Sequence, residues 1–120
     1  MLLTEDLIRE YRALIGRRVH VVMDRPIGSV HPKHPEIVYP INYGYVKDII
    51  GGDGEEQDVY VLGPSVPLAT FDGVIIAVVH RYDDNECKWV AAECGAEFSK
   101  QQIEAAVKFQ EQFHDPIVIV

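Results

Sequence analysis

The sequence predicts a mainly β fold with flanking helices (α+β), built around a small closed or nearly closed β-barrel. Short apolar segments, rich in β-branched residues and bounded by turn residues, follow one another from Arg18 to Glu93. Helical patterns lie only near the two ends of the chain. A parallel α/β sheet would need helices between its strands, and no such pattern lies there. The length of 120 residues fits one domain, residues 1–120.

Two helices are predicted from capping residues and apolar spacing. Thr4, followed by two acidic residues and apolar residues at helical spacing, starts the first, and Gly16 closes it. Ser99 caps the second, "KQQIEAAVKFQEQF". The chain ends in "PIVIV", which we expect to be an apolar tail or an edge strand.

Five strands are expected between the helices, and the fourth pairs with the fifth across an Asp-Asp-Asn turn. They are "RVHVVMD", "NYGYVKDII", "QDVYVLG", "DGVIIAVVHRYD" and "CKWVAAE". The segment between the first two has prolines at positions 26, 32, 35 and 40. Since proline has no backbone donor, we interpret this segment as an ordered loop or a broken hairpin, and its histidines as part of that loop rather than metal ligands.

Composition restricts the partners. The formal net charge of −8 repels nucleic acids and anionic membranes, and no apolar run approaches the ~20 residues that span a bilayer. The acidic N-terminus and two cysteines, Cys87 and Cys94, whose spacing fits neither a zinc site nor a redox pair, indicate a cytoplasmic protein with reduced thiols. The short chain and its apolar end make a homo-oligomer plausible.

Two predicted turns are rich in carboxylates. The first holds Asp53, Glu55, Glu56 and Asp58, and the second holds Asp83, Asp84 and Glu86. Taken alone, each is consistent with an ordinary exposed turn. Together at one mouth of a barrel they would form a site for two or more hard cations such as Mg²⁺, which prefer oxygen ligands.

A tyrosine-rich segment and several cations accompany these turns. In "YPINYGYV" a phenol such as that of Tyr43 can pack in the core or donate a hydrogen bond to a phosphoryl oxygen. Lys88 follows the second acidic turn, and Arg25 and Lys33 lie in the proline-rich segment. Most surface lysines are only solvated, but a lysine among carboxylates suits a clamp on a phosphate. Arg81, at the end of a strand, is a further cation directed to the same mouth.

The residues quoted above carry a family resemblance. "YPINYGYV" followed by "DGEEQD" resembles the YPxNYGY and DGDxxD signature of the soluble family I inorganic pyrophosphatases. "DDNECKWV" and "KFQEQFHD" resemble that family's later acidic segment and C-terminal active-site helix, so the match runs from about Asp24 to Asp115. The resemblance implies a five-stranded barrel like the oligonucleotide-binding fold. It also implies hydrolysis of pyrophosphate to two phosphates with Mg²⁺, with Mn²⁺ as the alternative ion.

The resemblance also implies roles for individual residues. Four carboxylates correspond to metal ligands: Asp53, Asp58, Asp83 and Glu86. Glu55 stands where the family has an aspartate suited to hold or deprotonate the attacking water. Tyr43 and Lys88 correspond to phosphate contacts, which makes Glu55, Asp58, Tyr43 and Lys88 the predicted catalytic group.

The chain departs from the family in its phosphate clamp. The proline-rich loop replaces the family's N-terminal hairpin, so Arg25 and Lys33 are candidates to bind substrate in its place. The family's Tyr-Lys pair is Phe113-His114 here, which adds His114 to those candidates.

Three alternatives to a pyrophosphatase remain. One is hydrolysis of another small phosphoanhydride, and a second is a barrel that binds metal or a phosphorylated ligand without turnover. The third, oligonucleotide binding, ranks last because of the net charge of −8.

Overall fold

Five strands form a closed barrel, as the sequence predicts. The computed structural model describes all 120 residues. The barrel strands are β1 (Arg18–Arg25), β2 (Asn42–Ile50), β3 (Glu56–Val61), β4 (Thr70–Arg81) and β5 (Cys87–Ala92). They are hydrogen-bonded in the order β1-β2-β3-β5-β4, and β4 pairs back with β1. Every pairing is antiparallel except that of β3 with β5. The prediction of a mainly β barrel with flanking helices is confirmed.

Two helices flank the barrel, α1 (Glu5–Leu14) and α2 (Lys100–Glu111). The side chain of Thr4 caps α1, and Ser99 and Gln102 form a capping box on α2. The sequence predicts a helical pattern through Phe113, but α2 ends at Glu111. The backbone N–H of Phe113 bonds to the carbonyl of Gln110, three residues back, which tightens the chain into a turn. Neither helix has the length and apolar character that crossing a bilayer requires.

Two segments outside the five barrel strands are also ordered. The predicted loop after β1 folds back on itself through an isolated bridge between Val30 and Val38. The C-terminal segment forms β6 (Pro116–Ile119), which pairs antiparallel with the second half of β4. The first half of β4 pairs with β1 along the same edge. The predicted edge strand is therefore confirmed.

The apolar side chains form two cores, one on each face of the strands. Tyr11 of α1 packs with Val59 and Trp89 in the first core. Ile103 of α2 packs with Tyr60 in the second. Because successive side chains of a strand point to opposite faces, β2, β3, β4 and β5 each contribute to both cores, whereas β1 contributes only to the first. The second core also contains Tyr39, Tyr43, Val79 and Val90.

The glycine of the tyrosine-rich segment, Gly44, lies where β1 and β2 approach each other closely. It lies opposite Met23 in the β1–β2 pairing. A Cβ atom at Gly44 would lie 2.0 Å from the carbonyl oxygen of Val22 and 2.8 Å from Cα of Met23. Since both are backbone atoms of β1, only glycine lets the strands approach this closely.

We predict that Gly44→Ala lowers the free energy of unfolding by about 1–3 kcal/mol, because β1 must shift to make room. Urea unfolding measures the change. Gly51→Ala is the control, since its nearest atom is the side-chain oxygen of Gln57, 3.3 Å away, which can rotate aside. Equal unfolding midpoints for the two variants would contradict this account of Gly44.

The two cysteines differ in environment. Both are free thiols, and Cys94 is exposed whereas Cys87 is half-buried at the start of β5. Burial raises the pKa of the Cys87 thiol to about 11. At neutral pH it is therefore almost entirely in the unreactive thiol form.

We expect an aromatic disulfide reagent at pH 8 to modify Cys94 first and Cys87 at least about 100-fold more slowly, because only about one Cys87 in a thousand is a thiolate there. Stopped-flow absorbance gives both rates. The Cys94→Ser variant isolates the slow site. A rapid full-amplitude reaction of that variant would show that Cys87 is not shielded as described.

Candidate active site

One cleft collects nearly all the residues singled out in the sequence. It has a volume of about 550 Å³ and lies at one end of the barrel, between the acidic turns, the proline-rich loop and the end of α2. Nine of the ten predicted site residues line it. These are Arg25, Lys33, Tyr43, Asp53, Glu55, Asp58, Glu86, Lys88 and His114.

Asp83 is the predicted site residue that does not line the cleft. Its carboxylate accepts hydrogen bonds from the backbone N–H of Asp115 at 2.9 Å and lies 3.0 Å from Nδ1 of His114. The bond from Asp115 holds the pKa of Asp83 below its usual value. Asp83 thus fixes the turn that carries His114, and His114 is the residue that reaches the cleft.

The two acidic turns meet, as predicted. A Cβ atom at Gly52 would lie 2.0 Å from the carbonyl oxygen of Asn85, so the turns touch through their backbones. Contact with Glu86 lowers the pKa of Asp53. Burial, followed by the contact with Asp53, raises the pKa of Glu86. The two carboxyl groups are therefore close enough to shift each other's pKa in opposite directions.

Lys88 neutralises the carboxylates on the inner side of the cleft. It is only 4% exposed, and its ammonium lies 2.5 Å from Asp58 and 2.8 Å from Glu86. Burial by itself lowers the pKa of Lys88, but the neighbouring Tyr43 and Asp58 outweigh it and the pKa is raised. Lys88 therefore carries a permanent positive charge at the floor of the cleft.

Tyr43 and Arg25 form the wall beside Lys88. Burial raises the pKa of Tyr43, so its phenol keeps its proton. The ammonium of Lys88 and the guanidinium of Arg25 lie 5.8 Å and 6.0 Å from the centre of its ring. Arg25 also donates a hydrogen bond to the hydroxyl of Tyr39 at 2.8 Å, and it lines the same cleft.

The proline-rich loop adds aromatic rings at the rim. The His34 ring stacks on Phe113 with their centres 5.7 Å apart, and the His31 ring stacks on Tyr39. Both histidines line the cleft beside Lys33. Ring stacking thus holds the loop against the segment that follows α2.

The cleft contains carboxylate oxygens, which are the type of ligand atom that Mg²⁺ prefers. Carboxylate oxygens of Asp53, Asp58 and Glu86 face the same space. No three acidic, histidine or cysteine side chains converge into a ready-made metal cage. Mg²⁺ is usually held by one or two protein carboxylates, with water and substrate phosphates as the other ligands. The Asp53–Glu86 pair therefore fits this ion.

Two residues of the site were underestimated or missed in the sequence. The guanidinium of Arg81 is almost fully buried and lines the cleft. Its Nε and Nη2 donate to the carboxylate of Glu111 at 2.8 and 2.6 Å. The spacing of Glu111 was the available signal, since it follows Ile103 and Val107 at intervals of four and so falls on the apolar face of α2.

Comparison with known proteins identifies the fold. No protein-family model matches the sequence, and no curated protein sequence matches it. The structure is similar to a solved inorganic pyrophosphatase from Neisseria gonorrhoeae, with a TM-score of 0.61 and 23% identity over 78% of this chain and 72% of that one. For the inorganic pyrophosphatase from Ehrlichia chaffeensis the TM-score is 0.64, with 16% identity over 85% and 84% of the two chains. The inorganic pyrophosphatase from Coxiella burnetii gives a TM-score of 0.60, with 17% identity over 87% of this chain and 86% of that one. The chain has the fold of the inorganic pyrophosphatases.

Proposed function

We propose that this protein hydrolyses inorganic pyrophosphate to two phosphates with Mg²⁺, and that Mn²⁺ can replace Mg²⁺. One observation carries the proposal: nine of the ten site residues predicted from the sequence line a single cleft, in a chain with the pyrophosphatase fold.

Local charge supports binding of a small anion despite the net charge of −8. Arg25, Lys33 and Lys88 line the cleft together with the carboxylates. A pyrophosphate anion bound against Arg25 and Lys33 would present its remaining oxygens to the carboxylates. Divalent cations held there would remove the repulsion between substrate and protein.

The chemistry divides among the lining residues. Bound Mg²⁺, held by Asp53, Asp58 and Glu86, would supply Lewis-acid activation of water and neutralise phosphate charge. Glu55 accepts a proton from the attacking water. Tyr43 donates a hydrogen bond to a phosphoryl oxygen, while Lys88 contacts the phosphate and orients Asp58 and Glu86. Asp83, proposed from the resemblance as a ligand, acts through its bond to His114.

The wider setting is also part of the proposal. We infer one functional domain over residues 1–120, a cytoplasmic location and a homo-oligomer. The two free thiols are consistent with a reducing compartment. Exposed apolar side chains, among them Val30, Val38 and Phe113, favour contacts between copies of the chain.

A second candidate is a barrel that binds metal and phosphate without turnover. The ammonium of Lys88 already satisfies Asp58 and Glu86, two of the proposed metal ligands. A cation would have to compete with this internal charge, and slow turnover or none would follow. Hydrolysis of a different small phosphoanhydride is the remaining alternative.

We predict release of phosphate from pyrophosphate in the presence of Mg²⁺, and a loss of about 100-fold or more in kcat for Asp58→Asn. A colorimetric phosphate assay measures both. Asp72→Asn is the control, because Asp72 is an exposed residue of β4 that pairs with His20 away from the cleft. Absence of phosphate release, or equal rates for the native protein and Asp58→Asn, would overturn the proposal.

Arg25→Ala should raise the KM for pyrophosphate by about 10- to 100-fold, the usual cost of one hydrogen bond to a charged group. Steady-state kinetics at saturating Mg²⁺ tests this, with Arg9→Ala on the exposed face of α1 as the matched control. Calorimetric binding of pyrophosphate and Mg²⁺ without turnover would instead select the binding-protein alternative.

A further inference from the structure

A chain of buried charges links helix α2 to the carboxylates of the cleft. It begins at Glu111, whose side chain is 3% exposed and accepts two parallel hydrogen bonds from Arg81. Nη1 of Arg81 then lies 3.3 Å from Glu86 and 3.5 Å from Asp84. Glu86 in turn contacts Lys88, and Lys88 contacts Asp58.

The geometry fixes the position of Arg81. The two bonds to Glu111 use the Nε and Nη2 edge of the guanidinium, so its plane and direction are set by α2. The remaining nitrogen, Nη1, is thereby directed at Glu86. The hydroxyl of Tyr60 donates to Glu111 at 2.6 Å, which fixes the carboxylate itself. No buried side-chain polar atom lacks a partner.

A contribution to stability does not by itself explain why the charges of Arg81 and Glu111 are buried. Removing two charges from water has a desolvation cost that can exceed the energy of their attraction. Apolar pairs of similar volume often stabilise a protein at least as well. The side chains of Arg81 and Glu111 are only 4% and 3% exposed. What the pair supplies, and an apolar pair cannot, is a fixed hydrogen-bond donor directed at Glu86.

We propose that Arg81 and Glu111 are positioning residues of the cleft: Glu111 holds Arg81, and Arg81 fixes Glu86 in the orientation that binds a divalent cation. This inference rests on the proposed function, because it assigns Glu86 to the metal. Both residues would act through Glu86 and not on the substrate itself. Partners that orient a metal ligand from behind typically affect metal affinity or activity by about 10- to 100-fold.

The test separates positioning from support of the fold. The double variant Arg81→Met with Glu111→Leu removes both charges and keeps apolar volume, so urea unfolding should show a stability close to that of the native protein. Calorimetry with MgCl₂ alone should show an affinity about 10- to 100-fold lower, and kcat for pyrophosphate should fall in parallel. Native Mg²⁺ affinity in the folded double variant would overturn the inference.

Two single variants complete the design. Arg81→Lys keeps a charge beside Glu111 but has no planar fork to reach both Glu111 and Glu86, so Mg²⁺ affinity should still fall about tenfold. Gln102→Ala is the control: it removes the capping-box side chain at the start of α2 but leaves the bonds between Glu111 and Arg81 in place, so it should lower stability and leave Mg²⁺ affinity unchanged. Should the double variant fail to fold, native affinity in Arg81→Lys would by itself overturn the inference.

The outcomes also separate this inference from the proposed function. Mg²⁺ binding by the native protein without phosphate release, with affinity lost in the variants, would overturn the function and support the positioning role. Phosphate release with unchanged Mg²⁺ affinity in the variants would do the reverse. No Mg²⁺ binding by the native protein would contradict both.

Discussion

The ammonium of Lys88, placed between Asp58 and Glu86, is the interaction on which the cleft depends. The carboxylates of this region would repel one another without a nearby cation. Lys88 also ties three parts of the chain together: Asp58 comes from β3, Glu86 from the turn after β4, and Lys88 itself from β5. It therefore spans the single parallel pairing of the barrel, β3 with β5. One charge thus sets both the electrostatics and the shape of the site.

The alternation of side chains along the strands explains why the site lies where it does. Tyr60 and Val90 belong to the core beneath α2, and Asp58 and Lys88 come two residues earlier on the same two strands. They therefore point to the same face. Where α2 ends at Glu111, this face passes from apolar to charged side chains. The cleft is the uncovered continuation of the second core, and Arg81 with Glu111 forms the boundary between the two.

Much of this arrangement could be predicted from sequence. Strand patterns and turn residues predicted the barrel. The tyrosine-rich and acidic motifs, together with the family resemblance, predicted nine residues that line one cleft. The position of Asp83 could not be predicted in this way, because it depends on a hydrogen bond from Asp115, which lies far away in the sequence. Glu111 was missed because a charged residue in a helix is usually solvated, and only the packing of α2 against the barrel shows that Glu111 meets Arg81.

The most direct test of the metal and phosphate site is a crystal structure with Mn²⁺ and imidodiphosphate, a pyrophosphate analogue that resists hydrolysis. The account predicts anomalous scattering from Mn²⁺ bound by the carboxylates of Asp53, Asp58 or Glu86, with the analogue against Tyr43 and Lys88. Mn²⁺ and the analogue bound elsewhere, or a cleft in which neither is found at saturating concentrations, would contradict it.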